Sequence, residues 1–285
     1  LIFSLNGIIY NYMIKRIVFV ILLSLLVFNL SYRIDLGRSP RERIGELMYF
    51  PSGMALRTLS MGFYTPLSDL VWLRFIQYYG EHRMTDLKFE YLYHILDILT
   101  TLDPRFLHAY TLGALMLTHD ANRTDQAFKL LKKAMEKNPD EWRYHFVYGL
   151  INYLFLGNYN VAVTYFRLST QKPTATDMPR RWIAYITYRR LGDLKTALML
   201  WLDLYNHTRN PEEKAIAILY IKEIKMKMDI ELLNSKIDEF TKKFGRLPVD
   251  LKELIFYNSL DTIPREPHGE RYYIKAGKAH STWRK

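Results

Sequence analysis

From residue 69 to residue 210, small, bulky and turn-forming positions return at a fixed step. Ala127, Ala162 and Ala197 stand 35 residues apart, and the same step joins Leu131 to Phe166 and Trp201, and Ala114 to Gly149 and Ala184. It also joins Gly157 to Gly192 and Pro104 to Pro139, with Pro173 one residue early in the next copy. One period shared by several size classes is the mark of a helical repeat array. Each unit predicts two helices. The first offers a small residue (Ala114, Gly149 or Ala184), and thirteen positions later the second returns its own (Ala127, Ala162 or Ala197). Paired small residues let two helices approach toward the short end of the usual ~8–10 Å separation. A bulky residue four positions on (Leu131, Phe166 or Trp201) shares that helical face and fills the space beside the contact. Leu156-Gly157-Asn158 and Leu191-Gly192-Asp193 mark the turn between the helices, glycine supplying the C-cap. Proline closes the unit, because it pushes the residue before it out of the helical region.

The pattern changes on either side of the array. Met13-Ile14-Lys15-Arg16 reads as a natural start, followed by the apolar run Ile17–Leu30, broken only by Ser24 and Asn29. Fourteen helical residues reach about 21 Å, short of the ~30 Å hydrocarbon layer. Tyr32 and snorkelling Lys15, Arg16 and Arg33 extend that reach. No small-x-small cleavage site follows, so residues 1–35 are read as a retained single-pass anchor rather than a cleaved signal. The orientation signals conflict. Arg33, Arg38, Arg41 and Arg43 after the run favour a cytoplasmic chain, whereas the basic start resembles a signal-type n-region that sends the chain outward, and outward is expected.

Residues 36–68 read as a membrane-proximal connector interrupted by Gly37, Pro40, Pro51, Gly53, Gly62 and Pro66. Arg57, Leu59, Met61 and Phe63 would suit a segment lying at a membrane surface, but a packed lead-in to the array is the preferred reading. The first helix should begin at Leu67 with Ser68 as its N-cap. After four helix pairs over 69–210, Pro211-Glu212-Glu213 opens a helix to about Met228, and a second runs from Ile230 to Phe244. These capping helices, 211–244, would close the open end. Residues 245–285 give a turn, a short helix, a loop and a hairpin.

The repeat resembles the tetratricopeptide repeat. Ala127, Leu131, Ala134 and Pro139 match the second half of its consensus position for position, and Leu112-Gly113 and Tyr148-Gly149 echo the first half. The unit is one residue longer than the usual 34, and Leu204 replaces an expected small residue. Leu92, Leu96, Leu99 and Pro104 form an earlier degenerate copy. The resemblance implies an all-α fold: a right-handed solenoid of helical hairpins, here with an N-terminal membrane helix and a small helix-plus-hairpin tail. That tail is similar to the end of type II secretion pseudopilins, through Leu247, Pro248, Leu251, Leu254, Ile263, Pro264, Pro267, Gly269 and Tyr273. Arg265 and His268 stand where that family has acidic or aromatic residues, so the calcium site of the family is not expected here.

Composition narrows the functions. The chain has 285 residues, 49% hydrophobic and 15% aromatic, which argues against disorder. It has no cysteine, which excludes a disulfide framework, thiolate metal sites, a thiol nucleophile and a lipidated cysteine. The net charge of +11 permits anionic partners, but the lysines are dispersed, as on solvated helix faces. The eight histidines are scattered, and no nucleophile elbow, phosphate-binding glycine loop or metalloprotease motif occurs. Neither catalysis, nor a cofactor, nor a metal is expected.

Binding falls to the array. The resemblance implies that first helices line a concave groove for peptides. Counting from each small residue, the groove should receive His108, Thr111, Leu115 and His119, then Arg143, Phe146, Leu150 and Tyr153, then Arg181, Tyr185, Tyr188 and Arg189. Arginine with tyrosine is a contact composition suited to acidic or aromatic segments. The asparagine-and-lysine clamp of chaperone-binding arrays is not reproduced. The expectation is a bacterial inner-membrane scaffold, held through Ile17–Leu30 with its repeats in the periplasm, binding protein partners such as pilus or secretion components. The alternatives are a structural subunit of another membrane complex and a basic nucleic-acid-binding repeat protein, the latter unlikely.

Overall fold

A computed structural model describes residues 18, 19, 21–30, 33 and 52–283. The rest of the expected anchor, and the connector as far as residue 51, lie outside the described residues. Where described, residues 18–33 are helical, and their large apolar side chains are 48–71% exposed. Among the described residues no helix is long and apolar enough to cross a membrane.

From residue 53 to residue 256 the chain is helical, with one small sheet after it. The helices are α1 Gly53–Leu59, α2 Tyr64–Met84, α3 Leu92–Leu102, α4 Leu107–His119, α5 Thr124–Lys137 and α6 Trp142–Ile151. They continue as α7 Tyr159–Thr170, α8 Met178–Arg189, α9 Leu194–His207, α10 Pro211–Phe244 and α11 Leu251–Phe256. Strands β1 Tyr272–Lys275 and β2 Lys278–Ser281 form an antiparallel hairpin, with Tyr272 opposite Ser281 and Lys275 opposite Lys278. From α2 to α10 the helices pack on their neighbours in sequence, and α4 also meets α6.

The 35-residue step survives in the backbone. Leu87, Asn122, Gly157 and Gly192 are each 35 apart, and all have positive φ, at 56°, 54°, 66° and 72°. Each sits between the two helices of a pair, where a left-handed residue ends the first helix and turns the chain. The aligned small residues are as deep as the pattern requires: Ala114, Ala127, Ala162, Ala184 and Ala197 have no exposed surface. Leu96, Leu131, Phe166 and Trp201, at the bulky position, are also fully buried. Gly149 shows how tight the contact is. A Cβ there would lie 2.8 Å from a ring carbon of Phe166 and 3.0 Å from the carbonyl oxygen of Ala162.

The core is a row of clusters rather than one centre. Val71, Phe75, Leu96, Leu99, Tyr110 and Leu131 belong to the first, across α2–α6. Phe146, Phe166 and Ile183 build the second, and Tyr188, Trp201, Leu204 and Ile224 the third. The last joins Leu233, Ile237 and Phe240 of α10 to Leu251 and Leu254 of α11 and Ala279 of the hairpin.

Two sequence expectations fail locally. Ser68 is not an N-cap: α2 begins four residues earlier, and Ser68 lies inside it, fully buried. Pro66 occupies the first turn of α2, where no intrahelical N–H is required. The two capping helices over 211–244 are one helix of 34 residues, α10. Met228-Asp229-Ile230 contains neither glycine nor proline, so nothing at the expected break interrupts the hydrogen-bond ladder. α10 ends at Gly245, with φ +69°, after starting at Asn210, whose side chain accepts from the Glu212 N–H at 2.9 Å.

Candidate functional site: an aromatic cavity

Three helices meet around a cavity of about 380 Å³ lined by Arg181, Trp182 and Tyr185 of α8, Trp201 of α9, and Ile216, Leu219 and Tyr220 of α10. Residues 181, 182 and 185 share one face of α8, and 216, 219 and 220 share one face of α10. The lining obeys the same step as the array. Adding 35 to Arg181, Ala184 and Tyr185 gives Ile216, Leu219 and Tyr220. The first turns of α10 therefore stand where a further first helix would stand.

The walls are rings. Trp201 stacks on Tyr220 with centroids 4.4 Å apart and planes 10° from parallel. Tyr185 meets Tyr220 edge-on at 6.0 Å, and Trp182 meets Tyr185 edge-on at 6.0 Å and Tyr153 at 5.2 Å. Tyr153 is brought there by the π-helical turn Asn152–Leu156 that extends α6. Cations stand beside these rings. Arg181 Nη1 donates to Glu213 Oε1 at 2.8 Å, and Arg189 Nη2 lies 2.9 Å from Glu223 Oε1. The Tyr188 hydroxyl donates to the same Glu223 oxygen at 3.0 Å. Arg190 lies 5.8 Å over the ring of Tyr153, and Lys227 lies 4.8 Å over that of Tyr188. Arg181 lines the cavity and Arg189 lies 6.0 Å over the Tyr220 ring of its wall, each bound to a carboxylate.

Two buried polar atoms beside the cavity have no hydrogen-bond partner: Trp201 Nε1 and Glu213 Oε2. Burial and the contact with Tyr153 hold the Tyr185 hydroxyl above its ordinary pKa. Burial and the bond to Glu223 do the same for Tyr188. Both phenols are therefore neutral near pH 7, acting as hydrogen-bonding groups and not as charges.

A larger depression, about 580 Å³, lies between α3 and α5, lined by Tyr93, Asp97, Phe128 and Lys133 among others. Two of its charged groups, Asp97 and Lys133, are occupied with one another. Lys133 Nζ alone donates to the Asp97 carboxylate and carbonyl and to the Thr100 and Thr101 hydroxyls. The smaller cavity is the one walled by aromatic rings.

The expected groove residues divide. Arg181 and Tyr185 line the cavity, Tyr153 stands behind Trp182, and Arg189 is exposed at the rim. Phe146 and Tyr188 do not face a ligand, being 8% and 3% exposed. Phe146 packs against Trp142 and Phe166, and Tyr188 is turned to Glu223, because the next helix covers that side. Arg143 is exposed but bound to Glu141 of its own turn. His108 and His119 are exposed on α4, and His119 pairs with Asp120 and meets Phe155 edge-on. Thr111, Leu115 and Leu150 are half-buried. The structure does not bring the α4 residues to the cavity.

Sequence reasoning missed Trp182, Trp201, Ile216, Leu219 and Tyr220 as lining. The signal was present for the last three: the step had only to be carried one copy past residue 210. Among the described residues no group of three or more His, Asp or Glu side chains is placed to hold a metal ion. No protein-family model matches the chain. No curated protein matches it either.

Proposed function

We propose that the chain is a membrane-tethered scaffold of tetratricopeptide type, built as a solenoid, which binds a partner protein by taking an aromatic or large aliphatic side chain into the α8–α10 cavity. The observation that carries this reading is the cavity itself, with four aromatic rings and an arginine contributed at array positions. Desolvating an apolar side chain against such rings provides most of the attraction. The remaining N–H groups of Arg181 and the cations beside the rings select a segment with acidic residues beside the anchor. No bond is made or broken, so the chain acts by holding its partner and not by chemistry of its own. The apolar run Ile17–Leu30 supplies the tether. The pilin-like tail makes components of a pilus or secretion assembly the first partners to try, with the array on the envelope side of a bacterial inner membrane.

The test is selection of a random phage-displayed peptide library on the detergent-solubilised full chain. Enriched peptides should share one aromatic or large aliphatic residue with acidic neighbours. Binding of the selected peptide should fall at least ~10-fold in Trp182→Ala and in Arg181→Ala, as expected for an anchor contact worth more than 1.4 kcal/mol. Lys132→Ala, beside the other depression, should leave it unchanged. Peptides that bind the Trp182→Ala chain as tightly as the parent would overturn the reading. So would affinity that collapses with salt as phosphate-backbone binding does.

A further inference from the structure

The two ends of the helical row differ. The end of α10 is covered by the chain's own tail, but among the described residues nothing covers α2 on its outer side. Val71, Phe75, Tyr78 and His82 of α2 face the core and are buried. At 100° per residue, Leu70, Leu73 and Ile76 fall on the opposite side, where they are 60%, 57% and 48% exposed. α2 thus carries large apolar side chains on both sides, those of the outer side interrupted by Asp69 and Gln77. The turn before it is apolar and exposed as well. Leu59, Met61 and Phe63 are 68%, 88% and 70% exposed. Met61 is held at φ +49°, a left-handed conformation that a methionine seldom adopts, with Gly62 beside it at φ +96°.

We propose that the outer face of α2, together with the α1–α2 turn, seats on a lipid bilayer and holds the first helix pair against the membrane surface. The proposal rests on the membrane-tether reading and adds a second contact to it. Three observations select lipid as the cover. The large apolar side chains of residues 18–30 are themselves exposed, so that helix does not lie over α2. Residue 30 and residue 52 are joined by 21 residues, 22 steps that span at most about 79 Å even when fully extended, so a tether in a bilayer keeps α2 within that reach of it. That link carries Arg33, Arg38, Arg41 and Arg43, suited to lipid headgroups.

The seating is shallow and apolar in character. Asp69 lies between Leu73 and Ile76 around the helix, and its carboxylate must stay at headgroup depth or in water. The nearby guanidinium groups are already committed. Arg57 Nη1 donates to the carbonyl oxygens of Thr101 and Leu102, and Arg74 donates to Gln77. Those two groups are therefore not free for headgroup phosphates, and the apolar side chains carry the seating.

Because the chain has no cysteine, single labelling sites need no background removal. Leu23→Cys, Phe63→Cys, Leu73→Cys and Met199→Cys replace exposed residues, and each full-length variant is labelled with an environment-sensitive fluorophore. The variants are reconstituted in phosphatidylcholine vesicles carrying a spin-labelled quencher at a shallow acyl position. Labels at 23, 63 and 73 should shift blue and be quenched, and the label at 199, on α9, should not; high salt should leave the quenching at 63 and 73 intact. If 23 is quenched while 63 and 73 behave like 199, the tether stands and the seated face is overturned. If 23 is also unquenched, the tether reading fails first. A blue shift at 63 and 73 without quenching, growing with protein concentration, would assign the face to a second copy of the chain and overturn the proposal.

Discussion

At its C-terminal end the row of helices turns an apolar face to solvent and then covers it; at its N-terminal end it does not. Leu233, Ile237 and Phe240 of α10 have no exposed surface, because α11 and the hairpin lie over them. Leu70, Leu73 and Ile76 of α2 have the same chemistry and remain about half exposed or more. Terminal units of a repeat array ordinarily present a polar outer face. One end meets that requirement with its own chain. At the other, Leu70, Leu73 and Ile76 stay open among the described residues, so residue type alone does not identify core; position in the row does.

The sharpest way to break this comparison is to remove the largest side chain of the covered end. Phe240→Ala should cost about 3–5 kcal/mol, the usual range for a buried phenylalanine, read as loss of hydrogen-exchange protection in α11 and the hairpin while α3–α6 stay protected. Loss of protection along the whole row instead would show that the cover and the array unfold as one unit. Gly149→Ala sets the scale in the middle of the row. The added methyl meets Phe166 and the Ala162 carbonyl inside normal contact distance, and overpacking should outweigh the helix-propensity gain by about 1–2 kcal/mol in a urea titration.

Acid should separate the two regions by sign. Burial, with Lys172 adding to it, holds the His145 imidazole below its usual 6.5. The unfolded chain then takes the proton first, so α6 holds its stability above about pH 6.5 and loses it as pH falls toward the depressed folded value. Burial raises the Asp229 carboxyl above its usual 3.8, against the opposing bond from the Tyr272 hydroxyl. Here the folded chain takes the proton first, so the cover gains stability as pH falls from the raised folded value toward about 4. Exchange protection of α6 and of the hairpin should tilt in opposite directions, and His145→Gln and Asp229→Asn should each flatten their own tilt. The smallest effect belongs to the bare end: Leu73→Gln should change stability by less than ~0.5 kcal/mol, while lowering the lipid quenching at position 63.

Most of the array was legible because its contacts are local and recur. The small residues at 114, 149 and 184 and the glycines at 157 and 192 each report a contact or a turn made within one unit. Asn122 and Leu87 hold the same left-handed turn without glycine, and the residue type did not give them away. The site was legible only in part, for a physical reason. Whether Phe146 faces a groove or a neighbour depends on how one unit is rotated on the next, and that angle leaves no mark inside a single unit. Tyr185 and Arg181 were found because the first helix of the last pair carries them; Tyr220 was lost because α10 was read as a cap and not as a further first helix. The continuity of α10 was missed for a simpler reason: nothing between Met228 and Ile230 but a single aspartate separates the two expected helices, and that costs a helix less than about 1 kcal/mol.

That continuity fixes a distance and an angle. A helix of 34 residues is about 51 Å long, and Tyr220 on the cavity wall is separated from Ile237 under the cover by about 25 Å of it. It behaves as a graduated shaft. One residue inserted between them would rotate the tail by about 100° and advance it about 1.5 Å, whereas seven would lengthen the shaft by about 10 Å and return the tail to within about 20° of its present bearing. Reach and bearing are therefore separately adjustable by descent or by design, in steps set by the pitch of the helix, without altering either the receptor at one end or the hairpin at the other.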